Sequence, residues 1–483
     1  MLVFIAEDVQ DLRIAMLTNL LKHQNPYTKQ TYAADPALSY IELHNEDSIF
    51  FYTFSAFSKL DVMPTYKRAF LKRFSDFLRA KYGTHEKLVA AWGQSAMNAF
   101  EIKDENLDQN NVMVAANPWH FSPEGLAQAR QFGQERRILD TAEFLHSVQS
   151  AFYRKFEKAI RETGYVGPLV GSCWTTPAGV PLYYNLHNDY EIGFIDRHNY
   201  FGGEDGSRPQ AARFDNASQL DSPGSGLLSS GMMQCIDRPF GFSEWTTVFP
   251  NEWVIESPSI VAAYGMGLQG WDASYEFASH INEHGGRLFA SRTSEPRLWV
   301  VSTPHQMGLY PALARMVYRG DVKQGGVIST RRVSLAELRD GKPDFVGKEQ
   351  AKQTGDIKQF AGMLPNAALA AGRVAVEYTD SPQPSTFPDM AELTRDGAIH
   401  SNTSQLTWYP AGQGKRGYFT INTDGTKAAV GFLPQTPIRL GDVSLRTSTP
   451  FAGLYLTALD RDATIATGKR LLLTAIARVR NTG

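Results

Sequence analysis

Three carboxylates, two imidazoles, one phenol and three indoles fall where five short apolar runs of the chain end: His44-Asn45-Glu46, Trp174-Thr175, His198-Asn199-Tyr200, Glu244-Trp245 and Trp271-Asp272. A pair of carboxylates can divide general acid, base and nucleophile work on a glycosidic bond, and aromatic faces stack on the apolar faces of sugar rings. The residue types at these ends therefore point to sugar cleavage. Each piece alone is common. The Asn-Glu dipeptide recurs at 45–46, 251–252 and 282–283 and ordinarily marks a solvated turn or a helix start; only the first of these ends a buried-looking apolar run. A lone glutamate such as Glu244 is ordinarily a satisfied surface or core group, yet Gly241-Phe242-Ser243-Glu244-Trp245 sets it where an apolar strand meets its loop. His198 reads equally well as a hydrogen-bonded core histidine, Trp174 and Trp271 as core aromatics, and Glu42 as a structural partner within its own strand.

The elements that must position these groups follow from periodicity. Val9, Leu12, Ile14, Ala15, Leu17, Leu20 and Leu21 recur at helical spacing over 7–23, and Asn25-Pro26-Tyr27 ends the run. Residues 39–44 read as a short strand, 63–92 as two helices parted at Gly83, and 135–163 as a long amphipathic helix. Apolar strands follow at 167–174, 193–200, 240–245 and 267–272, with a helical turn over 258–264 and a helix over 311–318. Strand then helix, repeated five times, predicts an α/β fold with a parallel sheet of (β/α)8 barrel type, whose strands would bring their C-terminal ends to one cavity. Beyond 323 the pattern becomes short runs bounded by Gly, Asp, Asn or Pro: 327–333, 373–378, 406–409, 418–422, 428–432, 442–447 and 453–458. That predicts a C-terminal β-sandwich and a division into domains 1–322 and 323–483.

Composition removes several function classes. The chain has 483 residues, 48 basic against 50 acidic side chains and a charged fraction of 20%, with no basic block, so nucleic acid is not an expected partner. Cys173 and Cys235 are too few for a disulfide framework or a cysteine-rich zinc site, and allow one bridge at most. The opening Met1–Ala6 is apolar but is cut off by Glu7 and Asp8, and no stretch approaches the ~20 apolar residues that a bilayer requires. Neither a cofactor nor a metal is called for. A metal-dependent hydrolase built on His44 and His198 ranks last, since no strand carries a close histidine pair.

In their order along the chain, Ile41-Glu42-Leu43-His44-Asn45-Glu46, Asp196-Arg197-His198-Asn199-Tyr200 and Phe242-Ser243-Glu244-Trp245 resemble the clan A glycoside hydrolases. Those are retaining enzymes with an acid/base Glu after Asn on the fourth barrel strand and a nucleophile Glu on the seventh. Phe77 to Gly83, with Leu88 and Ala91-Trp92-Gly93, is similar to the helix after the fourth strand in family 42 β-galactosidases and their relatives. Lys22 to Thr28, Leu471 to Arg478 and Asn481-Thr482-Gly483 resemble a large bacterial group of cellulase-like clan A proteins.

The resemblance spans nearly the whole chain and implies roles by position. Glu46 would be the acid/base and Glu244 the nucleophile, Asn45 would bond the sugar 2-hydroxyl, Tyr200 would hold the Glu244 carboxylate, His198 would line the same subsite and Trp271 would form its floor. Trp174 is a further aromatic candidate for the substrate, and Trp119, His120 and Phe121 in the long insertion 94–134 are outer ones. Hydrolysis of a β-linked oligo- or polysaccharide would run in two displacements with retention. Strands one to three of the family's barrel have no counterpart, so the expected barrel is incomplete, with strands four to eight, and the chain is expected to be a truncated product or fragment. A leader lost with that part would make the protein secreted or periplasmic. The competing expectation is a non-catalytic carbohydrate-binding protein or an inactive fragment.

Overall fold

The computed structural model describes residues 2–51, 62–115, 117–176, 179–202, 216–248, 251–278, 299, 301, 303–343, 349–354, 357–362 and 364–478. Asn282-Glu283 and Asn481-Thr482-Gly483 lie outside the described residues. The fold is mixed α/β, with parallel strands and a separate antiparallel sheet. Packing divides the chain into two compact units, one of 1–196, 332–347 and 378–383, the other of 197–331, 348–377 and 384–483.

The first unit runs α1 (Glu7–Lys22), β1 (Ile41–Glu42), α2 (Pro64–Tyr82), α3 (His85–Trp92), α4 (Glu135–Arg161), β2 (Leu169–Val170) and α5 (Val180–Ile192) into the start of β3 (Gly193–Phe201). Local chemistry sets the boundaries. Pro64 opens α2, Gly83 ends it at φ 86°, and the Thr84 side chain caps α3 by accepting from the Lys87 amide. Ile138, Leu145, Phe152, Phe156 and Ile160 form the buried stripe that holds α4 in place.

Strands β1, β2 and β3 pair in parallel, with Ile41 opposite Leu169, Glu42 opposite Val170, and Leu169 and Val170 opposite Gly193 and Phe194. The first two are far shorter than their apolar runs. Past Glu42 the amides of Leu43 and His44 still donate to the carbonyls of Val170 and Gly171, so pairing continues on one side only. At the sheet's edge β1 has β2 as its single neighbour among the described strands. Beside it lies a cavity of ≈ 500 Å³ lined by Leu17, Leu20, Leu21, Tyr40 and Ile41 among others, and α1 exposes Leu12, Met16 and Leu20.

One buried ion pair anchors the long insertion to α4. The Arg137 guanidinium donates to both Glu105 oxygens, at 2.7 and 2.5 Å, and to the carbonyls of Ala96 and Met113. Glu105 also accepts from the amides of Asn98 and Met113, both at 2.7 Å, while Arg137 stacks between Phe100 and Trp92. Both side chains are fully shielded from water.

The second unit holds the rest of β3, then β4 (Phe240–Thr247), β5 (Ala273–Glu276) and α6 (Tyr310–Arg319). β3 neighbours β4, and β4 pairs with β5 in parallel. The same unit carries a seven-stranded antiparallel sheet: β6 (Thr394–Arg395), β7 (Ala398–His400), β8 (Leu406–Tyr409), β9 (Tyr418–Asn422), β10 (Thr426–Gly431), β11 (Ala452–Ala458) and β12 (Leu471–Ala477), in that order. A hairpin of Ile438–Leu440 and Val443–Leu445 covers Ala429, Leu433 and Ala452. Cys173 in the first unit and Cys235 in the second are buried.

One sequence expectation needs correction. The run 267–272 is not a strand: Val261–Gln269 is a wide π-type helical segment that ends at Gly270 in the left-handed region, and β5 starts only at Ala273. Glycine explains the difference, because a Cβ on Gly265 would sit 2.5 Å from the Trp271 ring and one on Gly267 2.7 Å from Val322. These glycines bring the coil's neighbours close; they are not strand residues. The two compact units interleave along the chain. The antiparallel sheet packs on 253–264 of its own unit, where Tyr455 donates to Ser259 at 2.7 Å and Tyr264 lies against Trp408 and Phe419, and Trp408 also donates to the Leu220 carbonyl at 2.9 Å. Among the described residues no helix is long and apolar enough to cross a membrane.

Replacing Arg137 by Leu would leave Glu105 buried without its counter-charge. Such a loss costs about 3–5 kcal/mol, so urea or thermal unfolding of Arg137→Leu should show a large destabilisation, and unchanged stability would remove the anchor assigned here.

Candidate functional site

In the second unit the period of two along β3 puts His198 and Tyr200 on one face. On β4 the register shifts between Phe242 and Trp245, a bulge that turns two consecutive side chains toward the same neighbour. His198 shows the effect. Its Nε2 lies 2.9 Å from the Ser243 hydroxyl and its Nδ1 3.7 Å from Glu244 Oε2. Tyr200 donates its hydroxyl to the same Glu244 oxygen at 2.7 Å. The carboxylate remains 23% exposed while the imidazole is 1% exposed, so Glu244 is gripped from behind and still open to a ligand. The Tyr200 ring meets Trp299 edge-on at 5.8 Å and Phe277 at 6.3 Å.

The structure corrects Trp271. It precedes β5 instead of ending a strand, is 3% exposed, and packs on Phe240 and Phe242 with both centroids at 5.2 Å. A ring so enclosed offers no face to a sugar. The carboxylate that does end β5 is Glu276, a group the sequence reading missed. It lies opposite Trp245 and accepts from Tyr310, from Gln306 at 2.9 Å and from Thr246 at 3.2 Å. Burial outweighs these donors and pushes its carboxyl up to about 7. Its only sequence signal was the alternation Ser274-Tyr275-Glu276-Phe277, masked by the apolar run placed too early.

Asn45, Glu46 and Trp174 belong to the first unit. Asn45 is exposed and Glu46 half-buried, with Glu46 at φ 46°, a left-handed backbone that few non-glycine residues adopt. The loop that carries them is tied down on both sides. His44 is held by Arg13 at 3.2 Å and Asp47 at 3.4 Å, and Gln149 Oε1 accepts from the Ser48 hydroxyl and the Ile49 amide at 3.1 and 2.9 Å. His44 thereby ties its loop to α1. Trp174 meets Phe51 edge-on at 5.2 Å, next to Cys173, whose thiol is pushed well up by burial and then by the carboxylates of Asp196 and Glu42. Of the outer candidates Phe121 is buried, His120 packs between Phe100 and Trp119, and Trp119 is partly exposed.

No family model matches the chain, and no curated protein is significantly similar to it. Among solved structures it is similar to a β-galactosidase from the psychrophilic Marinomonas ef1, at 13% identity and a TM-score of 0.40, over 92% of this chain and 82% of that one. A likeness of that size carries no argument about activity.

Glu276 makes a pH dependence. Its folded carboxyl titrates near 7 against an ordinary 4.5, so the folded chain keeps a proton that the unfolded chain releases. The associated stability is complete below about 4.5 and falls as the pH rises toward 7, by up to about 3 kcal/mol. Unfolding curves at a series of pH values should show Glu276→Gln losing this decline relative to the parent; an identical decline in both would sink the assignment.

Proposed function

We propose that the chain is the catalytic part of a retaining glycoside hydrolase acting on a β-linked oligo- or polysaccharide. The observation that carries this reading is the Tyr200 hydroxyl on Glu244 Oε2 at 2.7 Å, at the bulged end of a parallel strand, with the carboxylate still open to solvent. In this reading Glu244 is the nucleophile. The phenol and the imidazole fix its orientation for attack on the anomeric carbon. Glu46, which follows a parallel strand in the same sense, is the acid/base: it protonates the leaving oxygen, then takes a proton from water to release the sugar. Asn45 bonds the 2-hydroxyl and Trp174 offers an aromatic face, while Trp271 is left to the core. The parallel strands are those of a barrel, corresponding to strands four to eight.

The test is turnover on a panel of aryl β-glycosides and β-linked oligosaccharides, with the anomer of the first product read by NMR. Retention is expected. Glu244→Gln and Glu46→Gln should each lose at least about 10²–10⁴ in kcat, and azide should rescue Glu244→Gly as a glycosyl azide of inverted configuration. Tyr200→Phe should lower kcat with little change in KM. Saturable sugar binding without turnover would favour the carbohydrate-binding reading, and an inverted product would exclude Glu244 as nucleophile.

A further inference from the structure

Outside the groups assigned to sugar chemistry, α4 and α5 bring two imidazoles and a carboxylate together. His187 and Glu191 are four residues apart and share one face of α5; His146, Ser150 and Arg154 share one face of α4 at the same spacing. The His146 Nε2 and His187 Nδ1 atoms are 3.0 Å apart, and a Glu191 oxygen completes a group whose ligand atoms all lie within 4.8 Å of one another. We propose that His146, His187 and Glu191 form a binding site for one divalent transition-metal ion of the zinc type.

The spacing suits such an ion. Bonds of about 2.0–2.1 Å in a tetrahedron put ligand atoms roughly 3.3 Å apart, close to the separation of the two imidazole nitrogens, and one rotamer adjustment brings the carboxylate in. Two imidazoles and a carboxylate are a donor set that zinc and its neighbours accept, with water in the fourth position. Groups behind the ligands hold them in orientation. Tyr378 packs edge-on against His187 at 4.8 Å, Tyr184 lies 4.9 Å from the His146 ring, and Ser150 donates its hydroxyl to Glu191. Asn188 in turn donates to Ser150 Oγ at 2.7 Å and to the His146 carbonyl at 3.1 Å. Access is open from one side, since His146 is buried, His187 half-buried and Glu191 exposed. Arg154, which competes for the carboxylate, lies 3.4 Å from Glu191 Oε1 in an exposed pair of little strength. A bound ion would clamp α4 to α5 and stabilise the folded chain in proportion to its occupancy.

The experiment is titration of the full metal-stripped chain with Zn²⁺ by calorimetry and with Co²⁺ by visible absorption, alongside melting curves. The wild type should take up one equivalent saturably, give the intense visible bands of four-coordinate cobalt, and melt at a higher temperature with Zn²⁺. His187→Gln and Glu191→Gln, each checked for an unchanged metal-free melt, should bind at least tenfold more weakly and lose the rise in Tm. Should His187→Gln fail to fold, the exposed Glu191→Gln decides alone. Arg154→Gln, which releases the carboxylate, should bind as tightly as the wild type or more so. Absence of a saturable equivalent, or the same affinity in the folded ligand variants as in the wild type, would overturn the site and leave a plain imidazole-to-imidazole hydrogen bond.

Discussion

A ladder of two residue pairs, even when the Leu43 and His44 amides extend it, is a short hold on a strand end, and β1 has no other strand neighbour among the described residues. What fixes their ends is the requirement that buried polar atoms be paired. Gln149 on α4 uses its carbonyl oxygen on Ser48 and Ile49 and its amide on Asn185 and Tyr153, tying the loop after β1 to two helices. Asp189 on α5 accepts from the Ser172 amide at 3.0 Å and from Tyr153 at 3.2 Å, beyond the end of β2. That carboxylate comes so near the backbone that a Cβ on Gly171 would lie 2.2 Å from Oδ1, so the glycine is a steric requirement. Side chains many residues away in sequence therefore position Glu46, and the two-residue strands only point it.

The second unit solves the same problem differently. There β4 is eight residues long, and the local device is the bulge at Phe242 to Trp245. By turning Ser243 and Glu244 toward one histidine, it lets a single imidazole brace two neighbours, which regular alternation would send to opposite faces. Trp245 closes the far side of the bulge through its indole N–H to Ser274 at 2.9 Å. The aromatic core beneath, from Phe240 through Phe242 to Trp271, gives this end of the strand a stiff base.

The helices and most strands were legible because their signals are local. Gly83 stops a helix by backbone geometry alone, and the 406–409 and 418–422 runs are strands to the residue. Glu244, His198 and Tyr200 could be singled out because a polar residue closing an apolar run is itself a local event. Trp271 was misplaced and Glu276 missed for the opposite reason. The run Gly267-Leu268-Gln269-Gly270 has strand composition, and only its packing against Val322 and Trp271 makes it a coil, which moves the true strand end four residues on. Likewise nothing along the chain announces that His146 on one helix meets His187 on another, since that proximity is made by tertiary packing. The antiparallel sheet was readable as strands but not as the partner of 253–264, because a contact such as Tyr455 to Ser259 joins residues about two hundred positions apart.

The two cysteines acquire a use from where they lie. Each compact unit contains one, both are without solvent exposure, and burial lifts the Cys173 thiol far from its reactive form. A thiol reagent can therefore modify either only after the surrounding structure has opened, so the rate of labelling at each position is a clock for the breathing of its own unit. Mass spectrometry of the two peptides would time these events separately in one sample, with no probe added to the sequence.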